Sequence, residues 1–223
     1  MAQIPRRLYS SIVAFSTDMW ESYVTAVEEF IAAHKDVTAK LVIDRFHVAQ
    51  QYREDFDELR KQEFKQMKQK LSAELFERDC KGSLWLLRKN HASLTFKERQ
   101  RLRKLFEYSP KLHKAYTLRE ELTALFNTPL TQLNAEYRFK RWMKKVERSQ
   151  LTCYDGFIKT LQKFFLPILN YFIARINSGF VEGLNNKIKV IKRRCYGIRK
   201  ITSLFQRIWL DLEGFERFVL STP

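Results

Sequence analysis

Past Asp44 the hydrophobic pattern of this chain turns to a period near 3.6 and stays there, so nearly all of the fold must be built by packing helices. Only a short leading stretch is left for strands. In it, Ser10-Ser-Ile-Val-Ala-Phe-Ser-Thr17 is a β-prone run that ends on hydroxyl residues before Asp18, and it reads as a buried strand. From Trp20 the apolar positions Trp20, Tyr23, Val24, Val27, Phe30 and Ile31 recur at steps of three and four, on one face of a helix. Lys40-Leu-Val-Ile43 is a second β-prone run, stopping at Asp44. Strand, helix, strand with an Asp at the carboxyl end of each strand puts both acids where ligands sit in open α/β sheets.

The helical part has its own punctuation. Tyr52, Phe56, Leu59, Phe64, Met67, Leu71 and Leu75 carry one long amphipathic stretch, which Asp79-Cys-Lys-Gly-Ser83 should break. The charged run from Arg53 to Lys70 is its solvated face. Thr95 with Glu98 reads as a capping box that opens a helix through Phe106, and Ser109-Pro110 and Thr128-Pro129 divide the next helices. Pro167 predicts a kink, and Asn177-Ser-Gly179 opens one more helix, from about Phe180 to Arg194. The expected class is α+β, predominantly α: a small α/β piece, a long all-helical insertion and a basic C-terminal helical region.

Composition narrows the partner. The 223 residues hold 41 Lys and Arg against 25 Asp and Glu, a net charge of +16, and that excess points to a polyanion. With 45% hydrophobic residues and only 6 Gly and 5 Pro, the chain can bury a core and is no disordered basic tail. No apolar run approaches the roughly 20 residues of a membrane span, and no signal core precedes Thr17, so a cytosolic location is expected. Cys80, Cys153 and Cys195 lie far apart without a Cys or His at zinc-site spacing, which suggests free buried thiols. His34, His91 and His113 have no partners at ligand spacing, and Trp142, although set among cations, is in a helix more often core than a base-stacking platform.

The stretch after Gly179 separates by kind at 100° per residue: Glu182, Asn186, Lys189 and Arg193 share one face, and Phe180, Leu184, Ile188 and Ile191 the other. No Asp or Glu occurs from Gly183 to Leu210, whereas Lys187, Lys189, Lys192, Arg193, Arg194, Arg199 and Lys200 all do. A lone carboxylate heading such a surface would repel phosphates unless it holds a divalent metal that contacts them. The ordinary alternative is that Glu182 complements the helix N-terminus and hydrogen-bonds Asn186. Asp18 likewise reads as a helix cap through Asp-Met-Trp-Glu21, Asp44 as the cap of the next helix, and His47 as a core histidine. Taken together, though, two strand-terminal acids, a nearby His and a Glu on a basic helix form one set suited to metal-assisted phosphoryl transfer.

Those residues also carry a resemblance. Asp18-Met-Trp-Glu-Ser-Tyr23, Asp44-Arg-Phe-His-Val48, Asn90-His-Ala-Ser-Leu-Thr95, Ala115-Tyr-Thr-Leu118 and Gly179-Phe-Val-Glu-Gly-Leu-Asn-Asn-Lys-Ile-Lys189 with Lys192-Arg-Arg-Cys-Tyr-Gly197 resemble the insertion-sequence transposases of the ISL-three group, from about Ser11 to Phe218. The resemblance implies a DDE transposase with an RNase H-like core interrupted by a helical insertion before the last acid. It implies a partial core over 1–47, the insertion over 48–151 and the closing part of the core over 152–223. Asp18 then matches the second catalytic Asp and Glu182 the catalytic Glu, both ligands of Mg²⁺ or Mn²⁺, while Asp44 and His47 belong to a supporting motif. The cations from Lys187 to Lys200 would contact DNA, both element ends and target, and a homodimer is left open.

One departure from the family pattern stands out. The first catalytic Asp should come from an earlier strand, yet Met1 to Thr17 contains no Asp or Glu. A truncated enzyme, bacterial and nucleoid-associated and inactive alone, is therefore expected. The rival from another class is a non-catalytic basic DNA-binding helical protein whose acids are caps.

Overall fold

The computed structural model describes residues 4–176, 179–198 and 200–218, apart from the side chains of 174, 180–182 and 215–218. They divide into a larger unit that runs to Ile176 and a smaller one from residue 177 on.

In the larger unit only the second half of the first β-prone run is strand. Arg6–Ser11 forms a 3-10 turn, begun by Pro5 at φ −60° and closed by the Ser11 hydroxyl donating to the Leu8 carbonyl at 2.7 Å. It buries Tyr9 edge-on against Phe30. Strand β1 is only Ala14–Thr17, and it is half-buried rather than buried. Helix α1 spans Glu21–Ala33 and buries Val24, Val27 and Phe30. Trp20 and Tyr23 depart from the expected face: Trp20 is the N-cap residue, outside the helical period, and the two rings pack edge-on with each other at 4.5 Å while 55% and 53% exposed. Strand β2 is Lys40–Ile43, parallel to β1, with Ala14 opposite Lys40 and Thr17 opposite Ile43. β1, α1 and β2 thus form a strand-helix-strand unit.

Helix α2, Arg45–Lys70, presents Val48, Tyr52, Phe56, Leu59 and Met67 to the core. It stops earlier than expected, because Ser72 caps a separate helix α3, Ala73–Asp79, by accepting from the Leu75 amide. Helix α4 is Leu84–Arg88. Helix α5, Phe96–Tyr108, opens with the expected Thr95–Glu98 capping box. Ser109 caps α6, Pro110–Asn127, with Pro110 in its first turn. Helix α7 covers Gln132–Ser149, α8 Asp155–Lys163 and α9 Phe165–Ala174. Pro167 therefore kinks nothing: the break falls at Phe164, and the proline lies in the first turn of α9, where its missing N–H has no acceptor to lose.

α6 packs on α2 and α7, α8 on α2, and α9 on β2 and α7. At the centre Tyr52 stacks on Tyr154 at 4.4 Å, with Phe157 and Trp142 beside them. The Trp142 indole N–H donates to the Leu118 carbonyl at 2.9 Å, which settles it as core. Cys80 is buried; Cys153 and Cys195 are half-buried, and all three thiols are free. No helix among the described residues is long and apolar enough to cross a membrane.

The smaller unit contains α10, Gly179–Arg194, and α11, Ile201–Phe218, packed on each other. The turn between them includes Gly197 at φ +91°, a backbone conformation that favours glycine.

Candidate active site

Asp18 stands one residue past β1. The Asp44 amide donates to the Thr17 carbonyl at 3.3 Å, so the start of α2 is pinned to the carboxyl end of β1. Both strand-terminal acids therefore lie at the same end of the two-stranded sheet. Their side chains do different things.

The Asp44 carboxylate is 2% exposed and caps α2 as expected, accepting from the Phe46 amide at 2.8 Å. Asp18 does not cap α1, whose N-cap is Trp20 with no side-chain cap bond. Instead its Oδ1 accepts the Trp20 amide at 3.1 Å, an Asx-type turn two residues on. The Thr17 hydroxyl lies 3.4 Å from the same oxygen. Every hydrogen bond to this carboxylate from the described residues falls on Oδ1, which leaves Oδ2 with its lone pairs open.

Half-buried Asp18 lines a shallow depression together with Glu21, His47, Glu54 and Lys163. Glu21 at the rim pairs with Lys163 of α8 at 2.7 Å. The depression gathers three carboxylates and an imidazole, yet among the described residues no three His, Cys, Asp or Glu side chains converge closely enough to hold a metal ion. Of the residues singled out from sequence, Asp18 and His47 share this surface, and Asp44, which caps α2, does not line it. Glu54 carries a signal in the sequence, since it lies seven residues, two helical turns, after His47 and so shares its helix face. Lys163 carries no sequence signal, since only packing of α8 on α2 brings it there.

Glu182 sits in the first turns of α10, and its side chain lies outside the described residues. The helix has the expected two faces. Leu184 and Ile188 are half-buried and Ile191 is 1% exposed, while Asn186, Lys187, Lys189, Lys192, Arg193 and Arg194 are exposed. Lys200 is exposed as well, and Arg199 lies outside the described residues.

Comparison with known proteins fits this layout. A family model described as "Transposase", that of the ISL3 group of DDE transposases, matches residues 2–208. The chain is 34% identical over 218 residues to the transposase for insertion sequence element IS1001 of Bordetella parapertussis, covering 96% of this chain and 51% of that one. It is 24% identical over 137 residues to the transposase for insertion sequence element IS1557 of Mycobacterium tuberculosis, covering 61% and 30%. The chain thus spans about half the length, or less, of these curated relatives. No solved structure matches it. With a family match over nearly its whole length and the motif residues Asp18, Asp44 and His47 gathered at one end of the sheet, the chain belongs to the ISL3 family of insertion-sequence transposases.

Proposed function

We propose that Asp18 and Glu182 are two of the metal-ligating carboxylates of a DNA strand cleavage and transfer centre, and that the cationic face of α10 holds the DNA. The observation that carries this reading is the open Oδ2 of Asp18 at the carboxyl end of β1, beside His47 and Glu54. Carboxylate oxygens with room for water around them suit Mg²⁺ or Mn²⁺. When bound, two such ions supply an activated water or 3′ hydroxyl and stabilise the leaving oxygen. The chain's own part is to hold Asp18 through the Trp20 amide and to supply Glu182 as a further carboxylate. The exposed cations Lys187, Lys189, Lys192, Arg193, Arg194 and Lys200, with Arg199, would position the phosphates.

The same reading divides the chain into a partial RNase H-like core over 1–47, an insertion over 48–151 and a return to the core from 152. The packing of α9 on β2 supports that division, because it brings the chain back to the sheet after the intervening helices. Two carboxylates bind Mg²⁺ weakly, so a further carboxylate is required and the 223-residue chain alone should leave DNA uncut. Asp44 is a poor substitute while it caps α2.

The test is strand cleavage with Mg²⁺ or Mn²⁺ on DNA carrying the element's ends. The chain is compared with a version extended upstream by a strand bearing an Asp. Cleavage by the extended chain that Asp18→Asn and Glu182→Gln each abolish supports the assignment. Cleavage by the 223-residue chain that needs Asp44 would instead make Asp44 the third ligand. A second reading, a non-catalytic DNA-binding protein, draws on the structural jobs both acids perform at Trp20 and Phe46. It requires Asp18→Asn to lower stability with no catalytic consequence.

A further inference from the structure

The first three turns of α2 have depressions on both sides. His47, Gln50 and Glu54 line the acidic one that holds Asp18. Arg45, Phe46, Ala49 and Arg53 line a second cavity of about 350 Å³, walled on its far side by Arg88, Arg119 and Asn127. Four guanidinium groups face this cavity, and among the described residues no carboxylate lines it.

These guanidiniums are unequally occupied. Arg119 is 6% exposed and is fixed by the Leu87 and Lys89 carbonyls and by Glu120, with its buried Nε left without a partner. Arg88 is paired with Asp57 at 2.9 Å. Among the described residues Arg45 donates only to the neutral amide oxygen of Asn127, at 3.0 Å. Arg53 donates to the Ala49 carbonyl of its own helix and lies over the half-exposed Phe46 ring at 5.6 Å. Neither Arg45 nor Arg53 has a carboxylate partner among the described residues, so at least two positive charges in this cavity remain uncompensated.

We propose that this cavity binds a backbone phosphate of the DNA strand on which another phosphate, a few nucleotides along, is handled at Asp18. The proposal rests on the reading of Asp18 as a metal ligand and extends it to a second anchoring point. Guanidinium is suited to it, since its planar fork matches phosphate oxygens two at a time. Spacing agrees. The two depressions are separated by one helix, about 10 Å across, which corresponds to about three nucleotides at about 3.4 Å of rise each along a strand. Arg45 and Arg53 would make the contact, with Phe46 forming the apolar wall beside the sugar and Arg119 holding the cavity in shape from behind.

The experiment measures binding of the full chain to a fluorescein-labelled duplex oligonucleotide by anisotropy across a salt series. Arg45→Gln with Arg53→Gln should flatten the plot of log K against log salt by about 0.9, the loss of one neutralised phosphate. Arg45→Lys with Arg53→Lys should restore most of the slope. Lys65→Gln with Lys68→Gln, the same loss of charge farther along α2, should change it much less. Equal flattening in both Gln pairs would mean a general charge effect and overturn the assignment. So would an unchanged slope in the arginine pair, provided that Lys189→Ala with Lys192→Ala and Arg193→Ala flattens it, an outcome that leaves DNA binding by α10 standing. Tight binding of adenosine monophosphate that the arginine pair abolishes would make this a free-nucleotide site and overturn the DNA assignment. No duplex binding by the unaltered chain at low salt would take down the DNA reading itself.

Discussion

The Asn170 side-chain amide donates to the Leu41 backbone carbonyl at 2.8 Å, and in doing so ties α9 to β2 across most of the chain. The amides of Lys40 and Asp44 donate to the carbonyls of Val13, just before β1, and of Thr17 at its end, so by the two-residue period of a strand the Leu41 carbonyl points away from β1. Asn170 therefore closes the open edge of a two-stranded sheet, which on its own would be marginal. Its Oδ1 is held in turn by Gln132 of α7 at 3.0 Å. Asn170→Ala should cost about 1–3 kcal/mol in a denaturant titration, because a largely buried carbonyl loses its donor. Gln132→Ala, which spares the Leu41 bond, should cost less. Equal costs would show that water replaces Asn170 at the edge.

Trp142 should behave as core. Trp142→Ala is expected to lower stability by about 3–5 kcal/mol, since the side chain is 3% exposed and its N–H has a fixed acceptor. Measured with folded protein at low temperature, Trp142→Phe should leave the affinity for single-stranded DNA unchanged. A loss of affinity in that variant would return Trp142 to a base-stacking role.

Two acids should give acid-range stability effects of opposite sign. Asp79, gripped by the Arg78 guanidinium and by the Tyr108 hydroxyl, is held down to about 2 from an ordinary 3.8, so it stabilises the fold fully above the unfolded value and loses that contribution as pH falls through about 2. Asp55 is pushed up to about 6 by burial and then by Glu54 and Glu58, so its ionisation weakens the fold as pH rises from about 4 through about 6. Asp79→Asn should thus destabilise at pH 7 and Asp55→Asn stabilise. Unfolding curves for the latter should merge with those of the unaltered chain near pH 4. A constant gap across pH would mean that packing, not charge, sets the difference.

On the proposed reading, Asp18 and Glu182 should be ligands of the same metal centre in the chain extended upstream by a strand bearing an Asp. Fe²⁺ bound in place of Mg²⁺, with ascorbate and peroxide, should cut the backbone near both residue 18 and residue 182 in the same sample. Cuts near residue 18 alone would leave Glu182 outside the centre and reduce it to a helix-terminal charge.

How much of this was legible beforehand differs by element. Lys40–Ile43, the Thr95–Glu98 box, Pro110 at a helix start, Asp44 as a cap and the two faces of α10 are local matters, decided by propensity, period and capping within a few residues, and they stand in the sequence. The family was legible too, through short motifs in a fixed order. Tertiary structure decided the rest. The Ser10 end of the first run became a 3-10 turn because Tyr9 found a buried place against Phe30, and Asp18 was released from capping because α1 starts at Glu21. The meeting of Asp18 with Lys163 and of Arg45 with Arg119 depends on where α8 and α6 settle on α2. Periodicity tells which face of a helix is buried, but not which other helix will cover it. That choice rests on side-chain shapes fitting across long sequence separations, which no local pattern records.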